Sequence, residues 1–401
     1  MIIKNGGVTT ATGFQAAAVN ADVKGKGRTN LDLALLVSDA PCSVAGLFTC
    51  NLVKAAPVLY DVALLEKKGN FRGIIVNSGN ANACTGEAGL IATRECCREA
   101  EKVLLLPAAS LLAASTGVIG TQFPTERVVK AIAPLAETLS DDGGTDFAKA
   151  IMTTDTLAKE YALLVETKEG NFVVGGTVKG AGMIAPELAT MLAFITTDAD
   201  CAPDVLSKVL KKAVACSFNR ITVDGDMSTN DTVLLFANGM SGVKITGPNE
   251  EKFTEALSCV CLELAKMMVR DGEGATKFIT ITAEGANTHE DAAKIAAKIS
   301  NSSLVKTMFA GEDPNWGRLM ASAGAAGADF DPEAVSIYLD ALHYVENGKL
   351  IDAELEKEAA KIMKQSEYTV RLSVGKGPGK ATYYTCDLTK EYVAINADYR
   401  S

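Results

Sequence analysis

Histidine is scarce in this sequence, which has only His289 and His343 among its 401 residues. Both lie in segments with ordinary structural roles, one beside a predicted helix N-cap and the other just after a predicted strand. Because both histidines have such structural alternatives, we expect neither a zinc site nor a Ser/His/Asp triad built on them, and therefore no metal and no histidine base. A hydroxyl nucleophile in this chain has to take its base from a carboxylate, a lysine or a terminal amine.

Three further absences narrow the function. There is no cluster of Lys and Arg, and 39 basic against 49 acidic side chains leave a net charge of −10, which disfavours nucleic acid or an anionic membrane as partner. Residues 104–120, the most apolar stretch, are interrupted by Pro, Ser and Thr, and residues 1–10 have no signal-peptide core, so we expect neither a membrane span nor secretion. The ten cysteines form no C-x-x-C pair, which favours reduced thiols in a cytoplasmic protein.

The composition is that of a globular chain. Hydrophobic residues make up 48%, enough for one large core or two domain-sized cores. Short β-branched runs alternate with amphipathic helical patterns, which predicts a mixed α/β protein, and the lack of a linker predicts domains that interleave or share a core. The predicted strands are 33–37, 73–76, 172–178, 191–196, 232–236, 278–283, 335–339, 368–374 and 382–386. The predicted helices are 90–105, 125–139, 203–217, 250–269, 290–300 and 353–365.

Two glycine-rich segments resemble nucleotide or phosphate loops. Residues 180–185 match the G-x-G-x-x-A dinucleotide fingerprint, but only five residues, one of them Pro186, separate them from the next predicted strand, too few for a crossover helix. Their glycines are instead interpreted as a flexible, close-approach loop beside Ala189 and Thr190. Residues 375–379 join two predicted strands and are interpreted as a hairpin turn.

Residues 224–231, DGDMSTND, begin like an EF-hand calcium loop, with oxygen-bearing side chains at positions 1, 3, 5 and 7. The glycine of position 6 and the glutamate of position 12 are missing, and Leu235 stands at the latter. We therefore expect self-satisfied turns of the Asx type that lead into a strand.

Thr190, Thr116 and Gly117 are the candidates for acyl-transfer chemistry. If the Ala189–Thr190 bond is cut, the new α-amine, with a pKa of about 7.7, lies on the same residue as the hydroxyl and can act as its base. The alternative is an ordinary β-branched strand residue. Thr116 and Gly117 place a hydroxyl beside a glycine N–H, which could serve as an oxyanion hole, although by itself the pattern favours a strand-to-turn junction.

Four polar, glycine-rich clusters, residues 77–86, 271–277, 311–318 and 395–401, carry amides and acids near predicted strand ends. Such side chains suit a small zwitterion, whose carboxylate and ammonium need fixed partners of both signs. Each cluster is also typical of a simple turn.

Together and in order, these blocks resemble the ornithine acetyltransferase family, the glutamate N-acetyltransferases of bacterial arginine biosynthesis. The resemblance runs from the first predicted strand to Ser401. The blocks that carry it are KGAGMIAPELATMLAFITTDA around Thr190, STGVIG, IMTTDT, NSGNANACTG, TVDGDMSTNDT, DGEGATK, GEDPNWGR and INADYR.

The resemblance implies an α/β fold of two β-sheets sandwiched between helical layers, of the N-terminal-nucleophile type, and self-cleavage between Ala189 and Thr190. The products would be an α chain, 1–189, and a β chain, 190–401, assembled as an α2β2 heterotetramer. Thr190 would be the nucleophile, and Thr116 and Gly117 would form the oxyanion hole. The implied substrate contacts are Thr153, Lys179, Thr190, Glu273, Asn396 and Ser401. Many members end in threonine where this chain has Ser401, which keeps the hydroxyl.

The implied reaction moves the acetyl group of N2-acetylornithine to glutamate through acetyl-Thr190, giving ornithine and N-acetylglutamate without a cofactor. Acetyl-CoA as a further donor stays open, because both kinds of member share these motifs. Lys179 suits a substrate carboxylate or developing negative charge, and Glu273 suits the side-chain ammonium of ornithine. The alternatives are an N-terminal-nucleophile aminopeptidase, an inert amino-acid-binding protein and a nucleotide-binding protein.

Overall fold

The computed structural model describes residues 1–27, 29–67, 69–185 and 191–398. These residues divide into two compact units that interleave along the chain. The first unit comprises Met1–Gly180, Glu187–Asn219 and Met227–Met268, and the second comprises Ala181–Pro186, Arg220–Asp226 and Val269–Ser401, each over its described residues. Within the described ranges, no helix is both long enough and apolar enough to cross a bilayer.

Strands and helices are numbered along the chain across both units. The strands are β1 (Ile2–Ile3), β2 (Phe14–Val19), β3 (Leu33–Phe48), β4 (Phe71–Asn77), β5 (Leu111–Ser115), β6 (Lys159–Thr167), β7 (Gly170–Lys179), β8 (Leu192–Thr197), β9 (Ile221–Thr222), β10 (Thr232–Ala237), β11 (Phe278–Ala286), β12 (Ser336–Leu339), β13 (Leu342–Glu346), β14 (Lys349–Leu350), β15 (Glu367–Ser373) and β16 (Gly379–Cys386). The α-helices are α1 (Ala56–Leu65), α2 (Gly86–Val103), α3 (Thr125–Glu137), α4 (Gly144–Ala150), α5 (Pro203–Ala215), α6 (Pro248–Arg270), α7 (His289–Asn301), α8 (Ser303–Ala310), α9 (Trp316–Gly324), α10 (Leu355–Met363) and α11 (Lys390–Ala397).

The sheet of the first unit has the strand order β1-β6-β7-β8-β10-β3-β4-β5, with β2 also paired to β3. Strands β5, β8 and β10 and the first half of β3 are buried on both faces, whereas β6 is largely half-buried. Along β3, Leu33 and Leu35 face a cluster formed with α2 and α3, whereas Leu36 faces the opposite cluster, which includes Phe147 of α4 and Phe194 of β8. Because successive side chains of a strand point to opposite faces, covering both faces requires an uninterrupted apolar run.

The outward edge of β5, the last strand in this order, is occupied by carboxyl groups from two helices. The N–H groups of Ser110 and Leu111 donate to Glu101 Oε1 at 2.8 and 3.0 Å. The N–H of Ala113 donates to Asp61 Oδ1 at 2.9 Å. Burial raises the pKa of Asp61 well above its usual range, although the Ala113 hydrogen bond acts in the opposite direction. The strand that ends next to Thr116 is thus fixed on its free side.

The second unit contains a seven-stranded sheet in the order β14-β13-β12-β15-β11-β16-β9. One face of it packs against α7, α8, α9 and α10. Ile279 and Ile281 of β11 meet Ile295 of α7, Phe309 of α8 and Met363 of α10 in one buried cluster. On β15 buried residues alternate with partly exposed ones, as in a sheet covered on one face.

The predicted mixed α/β class with two sheets is confirmed. Every predicted strand and helix is present, with shifted ends, and β3 continues to Phe48, well beyond its predicted end at residue 37. The prediction missed several elements. They include the strands β2, β5 and the nine-residue β6 and the helices α1, α4, α8, α9 and α11.

The interpretation of residues 375–379 as a hairpin turn is wrong. β15 and β16 are not neighbours, because β11 lies between them, parallel to β15 and antiparallel to β16. The segment therefore carries the chain past the end of β11. The N–H of Gly377 donates to the carbonyl of Gly285 at 2.9 Å, and a Cβ at Gly377 would collide with the carbonyl of Ala286. Close approach of two backbones requires glycine here.

Candidate active site

Lys179, the last residue of β7, joins two threonine hydroxyls in the first unit. Its Nζ donates to Thr153 Oγ1 at 2.7 Å and to Thr116 Oγ1 at 3.2 Å. The Lys179 side chain is buried, Thr116 directly follows β5, and Thr153 follows α4. Three predicted site residues from distant parts of the sequence are therefore brought together.

Thr116 and Gly117 can supply two donors to an oxyanion. The N–H of Thr116 is already engaged, since it donates to the carbonyl of Asn77 at 3.0 Å. Its hydroxyl oxygen accepts from the Lys179 ammonium, so the hydroxyl proton is left to donate elsewhere. The donors that suit an oxyanion at this point are the Thr116 hydroxyl and the Gly117 N–H.

The backbone of residues 79 and 80 packs closely against Gly117. Gly117 has φ +132°, and a Cβ there would lie 2.6 Å from the backbone nitrogen of Asn80. Asn77 Nδ2 donates to the carbonyl of Asn80 at 2.8 Å, and Asn82 Nδ2 donates to Thr93 Oγ1 at 3.0 Å. These amides, which we expected to bind a zwitterion, are used inside the protein to shape the loop.

Asp155 holds the threonine and lysine cluster in place. Its Oδ1 accepts from Lys159 Nζ and from the N–H of Gly180, both at 2.7 Å, and its Oδ2 accepts from the N–H of Thr153 at 3.1 Å. Burial raises the pKa of Asp155, but the charges of Lys179 and Lys159 and these hydrogen bonds outweigh burial and lower the pKa to about 2. Sequence reasoning missed Asp155. Its place in the IMTTDT block, two residues after Thr153, was the available signal.

Ala189 and Thr190 lie outside the described residues, and the chain is described again from Met191. Met191 is held on both sides of its backbone. Its N–H donates to Asp231 Oδ1 at 3.1 Å, and its carbonyl accepts from the N–H of Thr232 at 3.0 Å. The residue that follows the predicted nucleophile therefore has a fixed backbone.

In the second unit, the described part of the glycine loop, residues 181–185, approaches Glu273. The N–H of Glu273 donates to the carbonyl of Ala181 at 2.8 Å, and a Cβ at Gly182 would lie 2.6 Å from Glu273 Oε1. Asp224 Oδ2 accepts from the N–H of Met183 at 2.6 Å. The glycine at residue 182 thus allows close approach of the Glu273 side chain, whereas the predicted approach to the backbone around Ala189 and Thr190 lies outside the described residues.

Glu273 and Asn396, both predicted to contact substrate, are joined in the second unit. Asn396 Nδ2 donates to Glu273 Oε2 at 2.7 Å and to the carbonyl of Tyr392 at 3.0 Å, one turn earlier in α11. Glu273 is 8% exposed. The amide thus fixes the direction of a nearly buried carboxylate. The last predicted contact, Ser401, lies outside the described residues.

The expected turns of residues 224–231 are confirmed in part. The N–H of Asp226 donates to Asp224 Oδ1 at 3.2 Å, an Asx-type turn. Asp224 is not self-satisfied, however, because it also receives the N–H of Met183 and the Tyr392 hydroxyl. Burial raises the pKa of Asp224, and these donors lower it.

Two other interpretations can be compared with the structure. β7 and β8 are antiparallel neighbours, so residues 180–185 do not open the helix that a dinucleotide site requires. No group of three or more His, Cys, Asp or Glu side chains placed to hold a metal ion occurs in the part of the chain that the structure describes. All ten cysteines lie in that part, and all are free thiols.

A hydroxyl and a glycine N–H beside a buried lysine suit an enzyme that stabilises an oxyanion, as an acyltransferase does. The chain belongs to the ArgJ family, whose family model matches residues 15–401. The resemblance noted in the sequence is therefore confirmed.

The similar proteins match over nearly their whole length. The arginine biosynthesis bifunctional protein ArgJ of Dehalococcoides mccartyi is 46% identical over 401 residues, covering 99% of this chain and 98% of that relative. The protein of the same name from Symbiobacterium thermophilum is 45% identical over 399 residues, covering 99% of each. A crystal structure of ArgJ from Bacillus halodurans is 36% identical, covers 51% of this chain and 97% of its own, and has a TM-score of 0.49.

Proposed function

We propose that this chain is an acetyltransferase of arginine biosynthesis that moves the acetyl group of N2-acetylornithine to glutamate through an ester on Thr190. Membership of the ArgJ family over residues 15–401 supports this reaction, as do the names of the relatives that are 46% and 45% identical. The observation that carries the mechanism is the Thr116 hydroxyl, which accepts from Lys179 Nζ beside Gly117.

In the first half-reaction, Thr190 Oγ1 attacks the acetyl carbonyl of N2-acetylornithine. Self-cleavage between Ala189 and Thr190 frees the α-amine, which takes the hydroxyl proton and passes it to the leaving nitrogen as the amide C–N bond breaks. Ornithine leaves, and the acetyl group stays on Thr190 as an ester. During the attack on the carbonyl carbon, negative charge develops on the carbonyl oxygen, which therefore needs hydrogen-bond donors.

Thr116 and Gly117 would stabilise the carbonyl oxygen as it becomes negative. The ammonium of Lys179, 3.2 Å from Thr116 Oγ1, makes that hydroxyl a stronger donor, because each hydrogen bond in a chain polarises the next. The charge of Lys179 also favours the oxyanion directly. Removing one such donor typically costs about 10² to 10³ in kcat.

In the second half-reaction, the α-amine of glutamate attacks the ester carbonyl. The Thr190 oxygen leaves and regains its proton, and N-acetylglutamate is released. One amide is exchanged for another through an ester, so neither ATP nor a metal is needed to balance the reaction. Acetyl-CoA, a thioester, could load Thr190 by the same attack, and formation of N-acetylglutamate from acetyl-CoA and glutamate alone would show this second activity.

Glu273 is proposed to recognise the side-chain ammonium that ornithine and its acetylated form share. Its carboxylate is nearly buried, and Asn396 Nδ2 binds Oε2, which fixes its orientation. A charge-assisted hydrogen bond to an ammonium group is strongest where water is excluded. Ser401 is proposed as a further substrate contact.

The kinetic test separates covalent relay from direct transfer. Double-reciprocal plots against N2-acetylornithine at several glutamate concentrations should give parallel lines, and incubation with N2-acetylornithine alone should add one acetyl group to the 190–401 chain by mass spectrometry. Intersecting lines without an acetylated chain would refute the acetyl-Thr190 intermediate. Rapid release of acetate without glutamate would favour a hydrolase instead.

A matched pair of variants tests self-cleavage. Thr190→Ala should give one full-length chain on a denaturing gel and no transfer, whereas Thr190→Ser keeps a hydroxyl and should retain some cleavage. An uncut but fully active wild-type preparation would contradict the role of the α-amine.

The proposed α2β2 assembly predicts a native mass of about twice the 41.9 kDa of the chain, measurable by light scattering.

A further inference from the structure

Asp231 is a fully buried carboxyl group that the mechanism above does not use. It lies directly before β10, and its backbone carbonyl accepts from the N–H of Thr49 at 3.0 Å. Its Oδ1 accepts from the N–H of Met191 at 3.1 Å. Its Oδ2 is also buried, and it makes no hydrogen bond among the described residues. A carboxyl group with one unsatisfied oxygen is costly to bury.

The Asp231 contact continues the pairing of β8 and β10 by one step toward residue 190. These strands are parallel, and Thr232 lies opposite Leu192. The N–H of Thr232 binds the carbonyl of Met191, and the Asp231 side chain supplies the acceptor for the N–H of the same residue. The backbone of β10 therefore holds the carbonyl of Met191, and the side chain of Asp231 holds its N–H.

Fixing Met191 N–H constrains the preceding residue through covalent geometry. The nitrogen of Met191 is bonded to the carbonyl carbon of Thr190, and the peptide group between them is planar. The C–N bond is about 1.33 Å long, so the direction of this N–H sets the peptide plane that reaches the Thr190 Cα. From there two torsions of residue 190, ψ about the Cα–C bond and χ1 of the side chain, place the hydroxyl.

We propose that Asp231 is a positioning residue for the nucleophile, its Oδ1 holding the Met191 N–H and so fixing the peptide that carries Thr190. The proposal rests on the proposed function, which makes Thr190 the nucleophile. A misplacement of about 1 Å at a reacting atom can cost about 10²-fold in rate. Asp231 itself touches no substrate in this scheme.

The acceptor oxygen of Asp231, rather than its negative charge, is the property that holds the Met191 N–H. Burial raises the pKa of Asp231 well above its usual range, while the Met191 hydrogen bond and the charge of Lys179 act in the opposite direction. A protonated carboxyl still offers its carbonyl oxygen as an acceptor. An asparagine has the same shape and the same acceptor, so it should replace Asp231, whereas alanine should not.

The test compares Asp231→Ala and Asp231→Asn in the full-length, self-cleaved protein, with kcat expressed per cleaved chain. Asp231→Ala should lower kcat about 10- to 100-fold while KM for N2-acetylornithine changes less than about threefold. Asp231→Asn should recover kcat to within about threefold of wild type. Asp198→Ala is the control, because Asp198 is a buried carboxylate at the other end of β8 that accepts from the N–H of Val173 at 2.8 Å. It should lower the melting temperature without lowering kcat.

Three results would overturn the proposal. They are an unchanged kcat in Asp231→Ala, a loss of kcat in Asp231→Asn at wild-type melting temperature, and equal losses of kcat in Asp231→Ala and Asp198→Ala. If Asp231→Ala does not fold, Asp231→Asn decides, because it folds with the acceptor in place and must keep its kcat. Absence of acetyl transfer in the wild-type enzyme would instead refute the proposed function, which separates the two failures.

Discussion

Replacing Asp155 by asparagine removes a buried negative charge that interacts with two buried lysines, Lys159 and Lys179. Lys159 Nζ donates to its Oδ1 at 2.7 Å, and both side chains are almost completely buried. The amide of Asp155→Asn keeps an acceptor oxygen but not the charge. The buried ammonium groups of Lys159 and Lys179 would then lose the charge of this carboxylate.

Two arguments give the expected loss of unfolding free energy in Asp155→Asn. Lowering the pKa of Asp155 from 3.8 to about 2 corresponds to about 2 kcal/mol in favour of the charged, folded state. Removing one partner of a buried ion pair costs about 3 to 5 kcal/mol, because the other charge is left uncompensated. We therefore expect Asp155→Asn to lose about 2 to 5 kcal/mol of unfolding free energy at pH 7.

The assay is denaturant unfolding at pH 7, repeated as the pH is lowered. Asp146→Asn is the matched control, since Asp146 binds Lys149 at 3.2 Å with side chains that are 59% and 55% exposed. An exposed pair of this kind contributes about 0.5 kcal/mol or less.

The pH dependence has a definite sign. The folded-state pKa of Asp155 lies below the unfolded value, so its contribution is complete above about pH 4 and is lost as the pH falls toward 2. The difference between wild type and Asp155→Asn should therefore narrow over that range. A difference at pH 7 no larger than that of Asp146→Asn, or one that does not narrow in acid, would refute the reasoning.

Three further predictions concern catalysis. Thr116→Val should lower kcat by about 10² to 10³ with little change in KM, since it removes one oxyanion donor, and an unchanged kcat in steady-state assays would return Thr116 to a structural role. Gly117→Ala should lose at least as much activity, because φ is +132° and the added Cβ would lie 2.6 Å from the Asn80 nitrogen; kcat and melting temperature together check this. Glu273→Gln should raise KM for N2-acetylornithine and spare self-cleavage, and a full-length band on a denaturing gel would instead place Glu273 in processing.

The elements that the sequence predicts well are those whose burial is periodic. Predicted helix 125–139 corresponds to α3, Thr125–Glu137, where Val128, Ile132 and Leu135 are buried at helical spacing. α1 was missed because APVLYDVALL is apolar nearly throughout, and such a run does not distinguish a helix from a buried strand. α9, WGRLMASAG, was missed because its two glycines lower its helical propensity and favour a turn.

Strand order could not be predicted, because it depends on contacts between distant segments. Nothing in the sequence near residues 375–379 indicates that β11 enters between β15 and β16. The same limit applies to the site. The motifs single out Thr116, Thr153 and Lys179, but the supporting groups Asp155 and Asp231 gain their roles only from hydrogen bonds formed in three dimensions.

The carboxyl groups along the outer edge of β5 affect how copies of this protein can meet. An open strand edge is a template onto which another chain can add a strand, and natural proteins block such edges. Here Glu101 and Asp61 already accept the N–H groups of residues 110, 111 and 113. Growth of the sheet by strand addition is closed at this end, so contacts between copies here must be made through side chains and helix surfaces. At high concentration, the edge beside Thr116 is thereby protected against edge-to-edge aggregation.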